Sequence, residues 1–486
     1  MSRPGCGGQT REVDVEKCER PLAEDDLVID GMTGGDSSNS GSDDDARSRK
    51  EAGNTDNTSR REPETASIAN RVMSRITTRS SMPPPPPPDG GFTAWMVVFA
   101  GHLVIMCTWG VINSFGAFQT YYTTTLNRPP SDISWIGSFE IFLLFFIGTF
   151  TGRLTDAGFF RPVMIAGVAL VALGIFATSA CTQYWQLFLA QGVCLGLGNG
   201  CLFCPTMAVL STYWQKKRAL AMGIAACGSA TGGLIFPSMV RELLPRIGFA
   251  WTVRAIGFIQ VGSLIIALCF LKTRVAPRKT GSLVDLPAFK ELEYTFYAIG
   301  GFMSFWGVYF PFFFLSSYSR DIRGFAYADS LDLLLLLNGV GVVGRLVPNH
   351  FADRWGGVNM FAPMAACSAL LMFCWAAISS APGMYAWAVF YGMSAGGIQS
   401  LFPAALSGLN LDLRKQGTRM GMVFTIVSFA VLTGPPIEGV LISKMNGSYL
   451  GAQMFAGSAL AMGMVFMILA REARRRRTGE GFWLKV

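Results

Sequence analysis

Asp156 and Asp353 stand at the polar ends of apolar runs, in Asp156-Ala157-Gly158 and Asp353-Arg354-Trp355-Gly356. An aspartate at a helix end can accept from the free N–H groups of a neighbouring helix N-terminus, or pair with an arginine, in one arrangement of the chain and let go in another. Asp156 with Arg161 and Asp353 with Arg354 are therefore the candidate gating groups. Four further charges, Glu140, Arg254, Arg345 and Glu438, lie inside apolar runs, where a charge costs about 2.5–3.5 kcal/mol on insertion scales and is kept for a purpose. Arg345 follows Gly339, Gly341 and Gly344, small neighbours that leave its side chain room, and a guanidinium can grip a carboxylate bidentately. Its bland alternatives are snorkelling to headgroups or pairing with Asp353 two turns on, and Arg254 reads as a snorkelling anchor. Glu140 and Glu438 are the candidate proton-coupling pair, because two carboxylates brought together at a gate cannot both stay ionised. The competing reading leaves Glu438 wetted at the membrane surface and Glu140 hydrogen-bonded to a neighbouring helix.

Candidate recognition residues are Trp109, Tyr121, Trp306, Tyr318 and Asn338 beside Arg345, the rings offering stacking faces to an aromatic guest. Chemistry of other kinds finds no residues to do it. No nucleophile stands with a base and no GxxxxGK[ST] phosphate loop is present, so neither an enzyme nor an ATP-driven pump is expected. Cys201 and Cys204 form a CxxC without a second pair or histidines nearby. Most cysteines read as small packing residues, and neither metal nor cofactor is expected.

The elements that must position these groups are membrane spans. Of 486 residues 51% are apolar and 15% charged, against about a quarter charged in soluble domains. Apolar runs of the ~20 residues needed to cross a bilayer predict twelve helices at 93–121, 133–152, 162–182, 185–207, 219–239, 251–271, 294–318, 330–347, 358–379, 384–407, 419–441 and 450–470. Residues 1–88, rich in Gly, Ser, Asp, Arg and Pro and ending in Pro83 to Pro88, have the composition of a disordered tail. No cleavable signal peptide is expected, the first span serving as anchor. With loops assigned alternately to two sides, 32 Lys/Arg fall on one side and 6 on the other. The positive-inside rule then puts both termini in the cytoplasm. Basic residues in short loops, and the run Arg471 to Arg477, suit anionic lipid and exclude a nucleic-acid partner.

The chain is also duplicated. Trp109-Gly110-Val111, Phe115, Tyr121 and Asp156 recur 197 residues on as Trp306-Gly307-Val308, Phe312, Tyr318 and Asp353. Pro205, Gly223 and Pro237 recur at an offset of 198 as Pro403, Gly421 and Pro435, the slip falling where Asp353-Arg354-Trp355-Gly356 is one residue longer than its partner. The organisation is thus a tail 1–88, a six-helix half 89–271, a linker 272–293, a second half 294–470 and a basic tail 471–486. Two such halves rocking about a mid-membrane site give alternating access.

Gly152-Arg153-Leu154-Thr155-Asp156-Ala157-Gly158 with Arg161 resembles the loop between spans two and three of the major facilitator superfamily, with Ala157 in place of its usual basic residue. Asp89-Gly90-Gly91-Phe92-Thr93-Ala94-Trp95 looks like the DGG-aromatic-W signature of the monocarboxylate porter family. Asn113 to Gln119, Ser134 to Phe139, Gln191-Gly192-Val193 and Lys217 to Gly223 resemble its fungal branch. The resemblance implies an all-α fold of twelve spans in two six-helix pseudo-repeats. It also implies transport of a small organic acid, a vitamin or a secondary metabolite, inward or outward, with protons as a candidate coupling ion. Near the position of the span-one lysine of animal proton-linked members this chain has uncharged Ala117, at that of their span-eight aspartate it has Gly341, and Arg345 matches their arginine. Gly228 to Gly233 lacks the proline of drug–proton antiporters. The expected protein is a monomeric secondary carrier in the plasma membrane, with a carrier-like nutrient sensor as the alternative.

Overall fold

The structure, a computed structural model, describes residues 86–278, 282–409, 412–479, 481 and 484–486. The tail expected over residues 1–88 lies outside these except for its last three residues. The described residues form helices joined by short turns and loops, with no strand among them, and ten of the helices are long and apolar enough to cross a membrane. The longest, Arg218–Phe270, is two spans joined end to end. Gly248, at φ 73° and ψ 172°, turns the chain between them, a conformation that costs glycine little and other residues much. Ala381–Leu409, 29 residues long, completes twelve.

In chain order these are α1 (Phe92–Thr123), α2 (Asp132–Asp156), α3 (Phe160–Thr178), α4 (Tyr184–Tyr213), α5 (218–247), α6 (249–270), α7 (Leu292–Asp321), α8 (Tyr327–Trp355), α9 (Gly357–Trp375), α10 (Ala381–Leu409), α11 (Gln416–Lys444) and α12 (Leu450–Thr478). Two differences from the sequence reading stand out. No loop separates the fifth and sixth spans, and α12 continues eight residues past its expected end, carrying Arg471 to Arg477 on helix. Arginine and glutamate are good helix formers, and Glu472 ties Arg475 and Arg476 at 2.7 and 2.9 Å, so the basic run extends the helix once the apolar face ends.

Equivalent elements end alike. Gly158 after α2 and Gly356 after α8 both have left-handed backbone, φ 97° and 102°, as the repeat requires. Within the bundle α1 runs along α5 and α6, α7 along α12, α8 along α10, and α9 against α10 and α12. Across the halves α2 meets α11 and α8 meets α5. The α2–α11 crossing is a bare-backbone contact: a side chain at Gly152 would strike the Gly417 carbonyl and one at Gly421 the Gly148 carbonyl, each near 2 Å. Small residues at such crossings let helices come together where no hydrophobic effect drives them.

One end of the bundle gathers the α2–α3 and α8–α9 loops, the basic end of α12 and both ends of the described chain. Asp89 accepts there from the Gln215 and Lys216 N–H groups at 2.5 and 2.9 Å, and Trp95 meets Trp214 edge-on at 4.9 Å. The linker docks on the same end through an ion network: Asp285 takes Arg419 at 3.0 Å and Lys415 at 3.2 Å, and Glu291 takes Arg419 at 2.8 Å. We call this the basic end.

Candidate functional site

On each side of the basic end an aspartate from one half caps a helix of the other. Asp156, at the end of α2, accepts from Gly417 N at 3.0 Å and from Thr418 N and Oγ1 at 2.7 Å each, the first turn of α11. Asp353, near the end of α8, accepts from Ala219 N at 2.8 Å and Leu220 N at 2.9 Å, the first turn of α5. A carboxylate there satisfies donors that the helix cannot, and it meets the positive end of the helix dipole. Arg161 is exposed on the first turn of α3, and Arg354 is exposed beside Asp353. The partner of each aspartate is thus a helix terminus, and Arg218 is bound by the backbone oxygens of Trp214 and Ser407, each 2.9 Å away.

Between the halves, deep in the bundle, lies a cavity of about 30 Å³. Its walls are Trp109 on α1, Phe145 on α2 and Phe203 on α4 from the first half, with Phe305 and Tyr309 on α7 and Phe402 on α10 from the second. Trp109 and Tyr309 face each other across the halves, 6.0 Å apart and 9° from parallel. Arg345 enters from α8 and is 1% exposed. Its Nη2 donates to Gln399 Oε1 at 2.6 Å, a contact that fixes the amide orientation and leaves Gln399 Nε2 as a donor. Arg345 Nε, Tyr309 OH and Gln399 Nε2 are buried with no hydrogen-bond partner in the protein. Three donors on lining residues that no protein atom answers, one of them the Nε of a guanidinium, make a site that is costly without an acceptor and receptive to an anionic one. Ser229 adds a hydroxyl, already donated to the Ala226 carbonyl.

The cavity is closed at both ends. Opposite the basic end, Arg241 on α5 bonds Asp332 on α8 at 2.8 Å, and the Phe115 and Phe313 rings of α1 and α7 lie 5.8 Å apart. A water needs about 10–15 Å³ by this measure, and organic ligands occupy far larger pockets. Admitting an organic molecule therefore requires the halves to part.

Of the residues the sequence singled out, the structure brings Arg345 and Trp109 together in this cavity. Trp306 points elsewhere, its Nε1 donating to Thr433 Oγ1 at 3.0 Å and its ring edge-on to Phe455. Tyr121 stacks on Phe249 at 4.9 Å beside a second cavity of about 260 Å³. Tyr318 packs between Trp375 and Tyr449 and accepts from Arg323. Asn338 is fully buried on α8 against Gly233 of α5, its Nδ2 bonded to the Leu334 carbonyl. Glu140 accepts from Asn199 of α4 at 3.0 Å. Glu438 is wholly enclosed in the other half, near Tyr391 of α10, with both oxygens lacking a partner. The two glutamates are not bonded to each other. Sequence reading missed Tyr309, Gln399 and the four phenylalanines. An amide amid the apolar run of α10 was the available signal for Gln399, whereas the phenylalanines are indistinguishable in sequence from those that face lipid.

Residues 98–410 match the family model described as Major Facilitator Superfamily. Among curated proteins, an MFS-type transporter of Gibberella zeae is 52% identical over 79% of this chain and 87% of its own length. The aspyridones efflux protein of Emericella nidulans is 36% identical over 81% and 80%, and the agnestins efflux protein of Paecilomyces divaricatus 34% over 77% and 87%. Among solved structures, the human organic anion transporter MFSD10 superposes with TM-score 0.62 at 16% identity over 78% of this chain and 99% of that one. The E. coli fucose:proton symporter does so with 0.58 at 14%, over 78% and 98%. Duplicated halves, exchanged aspartate caps, an enclosed central cavity and these relatives agree: the chain is a multi-pass membrane transporter belonging to the major facilitator superfamily.

Proposed function

We propose that this transporter exports an acidic, aromatic small molecule of fungal secondary metabolism by alternating access about the central cavity. The observation that carries the reading is Arg345: a guanidinium buried in aromatic walls, beside two further donors that no protein atom answers. A carboxylate or an ionised phenol or enol on a ring system matches both features, since the acceptor meets the donors and the ring meets Trp109, Tyr309 and the phenylalanines. Efflux proteins for aspyridones and for agnestins among the relatives support outward transport of a secondary metabolite. The sequence signature Asp89 to Trp95, which here braces the α4–α5 loop, supports placing the chain in the fungal branch of the monocarboxylate porters. The positive-inside rule supports a cytoplasmic basic end, and export from the cell calls for a plasma-membrane address. In the proposed cycle the closed form described here opens at the basic end when Asp156 and Asp353 release α11 and α5, and at the far end when Arg241 releases Asp332.

The test is flux in proteoliposomes with a panel of hydroxylated aromatic acids and their methyl esters. Acids are expected to be carried in preference to esters. Arg345→Ala should lower acid flux about tenfold or more, in line with the loss of charge-assisted hydrogen bonds, and Arg345→Lys should fall between, keeping the charge and losing the fork. Equal flux of acids and esters through the unaltered protein contradicts the reading.

A further inference from the structure

At the basic end, outside the central cavity, the end of α8, the first turns of α9 and the last apolar turn of α12 enclose a groove of about 530 Å³. Its floor and sides are apolar, including Met360, Ala362, Met467 and Ile468, and its two charged residues are both arginines, Arg354 and Arg471, with no acid among the lining residues. It opens on the outer surface of the bundle, where Trp355 is 58% and Ile468 47% exposed. Asn359, also in the lining, spends its Nδ2 on the Trp355 and Leu484 carbonyls at 2.6 and 2.8 Å, and its Oδ1 is buried without a partner. An exposed tryptophan and two arginines at the end of apolar helices are the side chains found at the water–lipid boundary.

We propose that this groove binds one anionic phospholipid of the leaflet at the basic end, its phosphodiester between Arg354 and Arg471, its acyl chain along Ala362 and Ile468, and a headgroup hydroxyl donating to Asn359 Oδ1. This rests on the orientation proposed above, which puts the basic end at the leaflet richer in anionic lipid. Charge complementarity selects the occupant: the groove offers an anion two cations and offers its chains an apolar wall, a combination that a free anion uses only in part. The duplication makes the site particular to the second half, because Ala157 stands where Arg354 does and Trp355 is the residue that the first half lacks. Arg354 follows Asp353 directly, and Asp353 caps α5. A lipid held here steadies the α8–α9 turn and with it the closed form of the basic end.

The test is native mass spectrometry of the purified, delipidated full chain titrated with dioleoyl phosphatidylinositol and with dioleoyl phosphatidylcholine. It needs no cargo, so it succeeds or fails independently of the transport reading. The unaltered protein is expected to retain one phosphatidylinositol about tenfold more tightly than phosphatidylcholine. Arg354→Ala with Arg471→Ala should abolish that preference, as should Ala362→Phe, which fills the groove and leaves both charges, so that one variant remains informative if the other does not fold. Preference for phosphatidylinositol persisting in the folded variants overturns the proposal. So does complete displacement of the lipid by millimolar inorganic phosphate, which would make this a free-phosphate site.

Discussion

At position 345 a guanidinium occupies the place that the duplicated architecture gives to glycine in the other half. Gly148 and Gly152 of α2 let α11 approach, and their counterparts 197 residues on are Arg345 and Asn349 of α8, facing Gly223 of α5. The first-half crossing is a contact between backbones, and the second carries the cation of the cavity. Arginine at 345 was legible as an intramembrane charge, but its direction was not, because eight residues separate it from Asp353 and both readings fit a helix. Gln399 on α10 settles the direction. Gln399→Leu, which removes the acceptor and leaves the charge, is expected to weaken acid flux about tenfold with unchanged protein in the membrane, checked by flux and by fluorescence-detected gel filtration. Glu438 stands apart from Glu140 in having no partner for either oxygen. On that geometry Glu438→Gln should abolish the response of flux to an imposed pH gradient and Glu140→Gln should leave it. A pH response that survives Glu438→Gln removes this residue from coupling.

At the basic end the proposed gates are aspartates on helix termini, whereas the far end is held by the Arg241–Asp332 pair. Asp156 and Asp353 were legible from their register across the repeat, and the helix ends that receive them were not, since Gly417-Thr418 and Ala219-Leu220 carry no mark of a binding site except that a span begins there. Asp156→Asn and Asp353→Asn each keep a side-chain oxygen and lose the charge, so each should raise the open fraction at the basic end about tenfold. Faster labelling of Cys227, buried on α5 near the cavity, by an impermeant maleimide applied from that end, with mass-spectrometric assignment, is the check. The linker behaves as a strap on the same face. Burial works to raise the Asp285 carboxyl, and the hydrogen bonds and charges of Arg419 and Lys415 outweigh it, holding it below its ordinary value. A depressed carboxylate contributes stability above its unfolded pKa of about 3.9 and loses it as pH falls through the folded value. Linker docking should therefore be constant near neutrality and loosen only in stronger acid, and Asp285→Asn should loosen it at pH 7. Limited proteolysis between residues 272 and 293 reads both.

The molecule as a whole was the most legible level, because twelve apolar runs and a 197-residue echo are properties of composition and register that tertiary contacts do not alter. The join of α5 to α6 escaped, since Gly248 can turn a chain without the polar loop that usually announces a turn. So did the asymmetry of the cavity, to which both halves give aromatic walls and the second alone gives the cation, the phenol and the amide. That asymmetry is the basis for expecting an acidic cargo. The direct measurement is mass-spectrometric comparison of metabolites in cells and medium for a producing strain carrying the unaltered chain, the chain with Arg345→Ala at equal membrane abundance, or none. The account predicts that the same acidic aromatic compound is held in cells and depleted from medium in the last two strains alike. No change in any acidic compound on deletion, or export by Arg345→Ala equal to that of the unaltered chain, would contradict it.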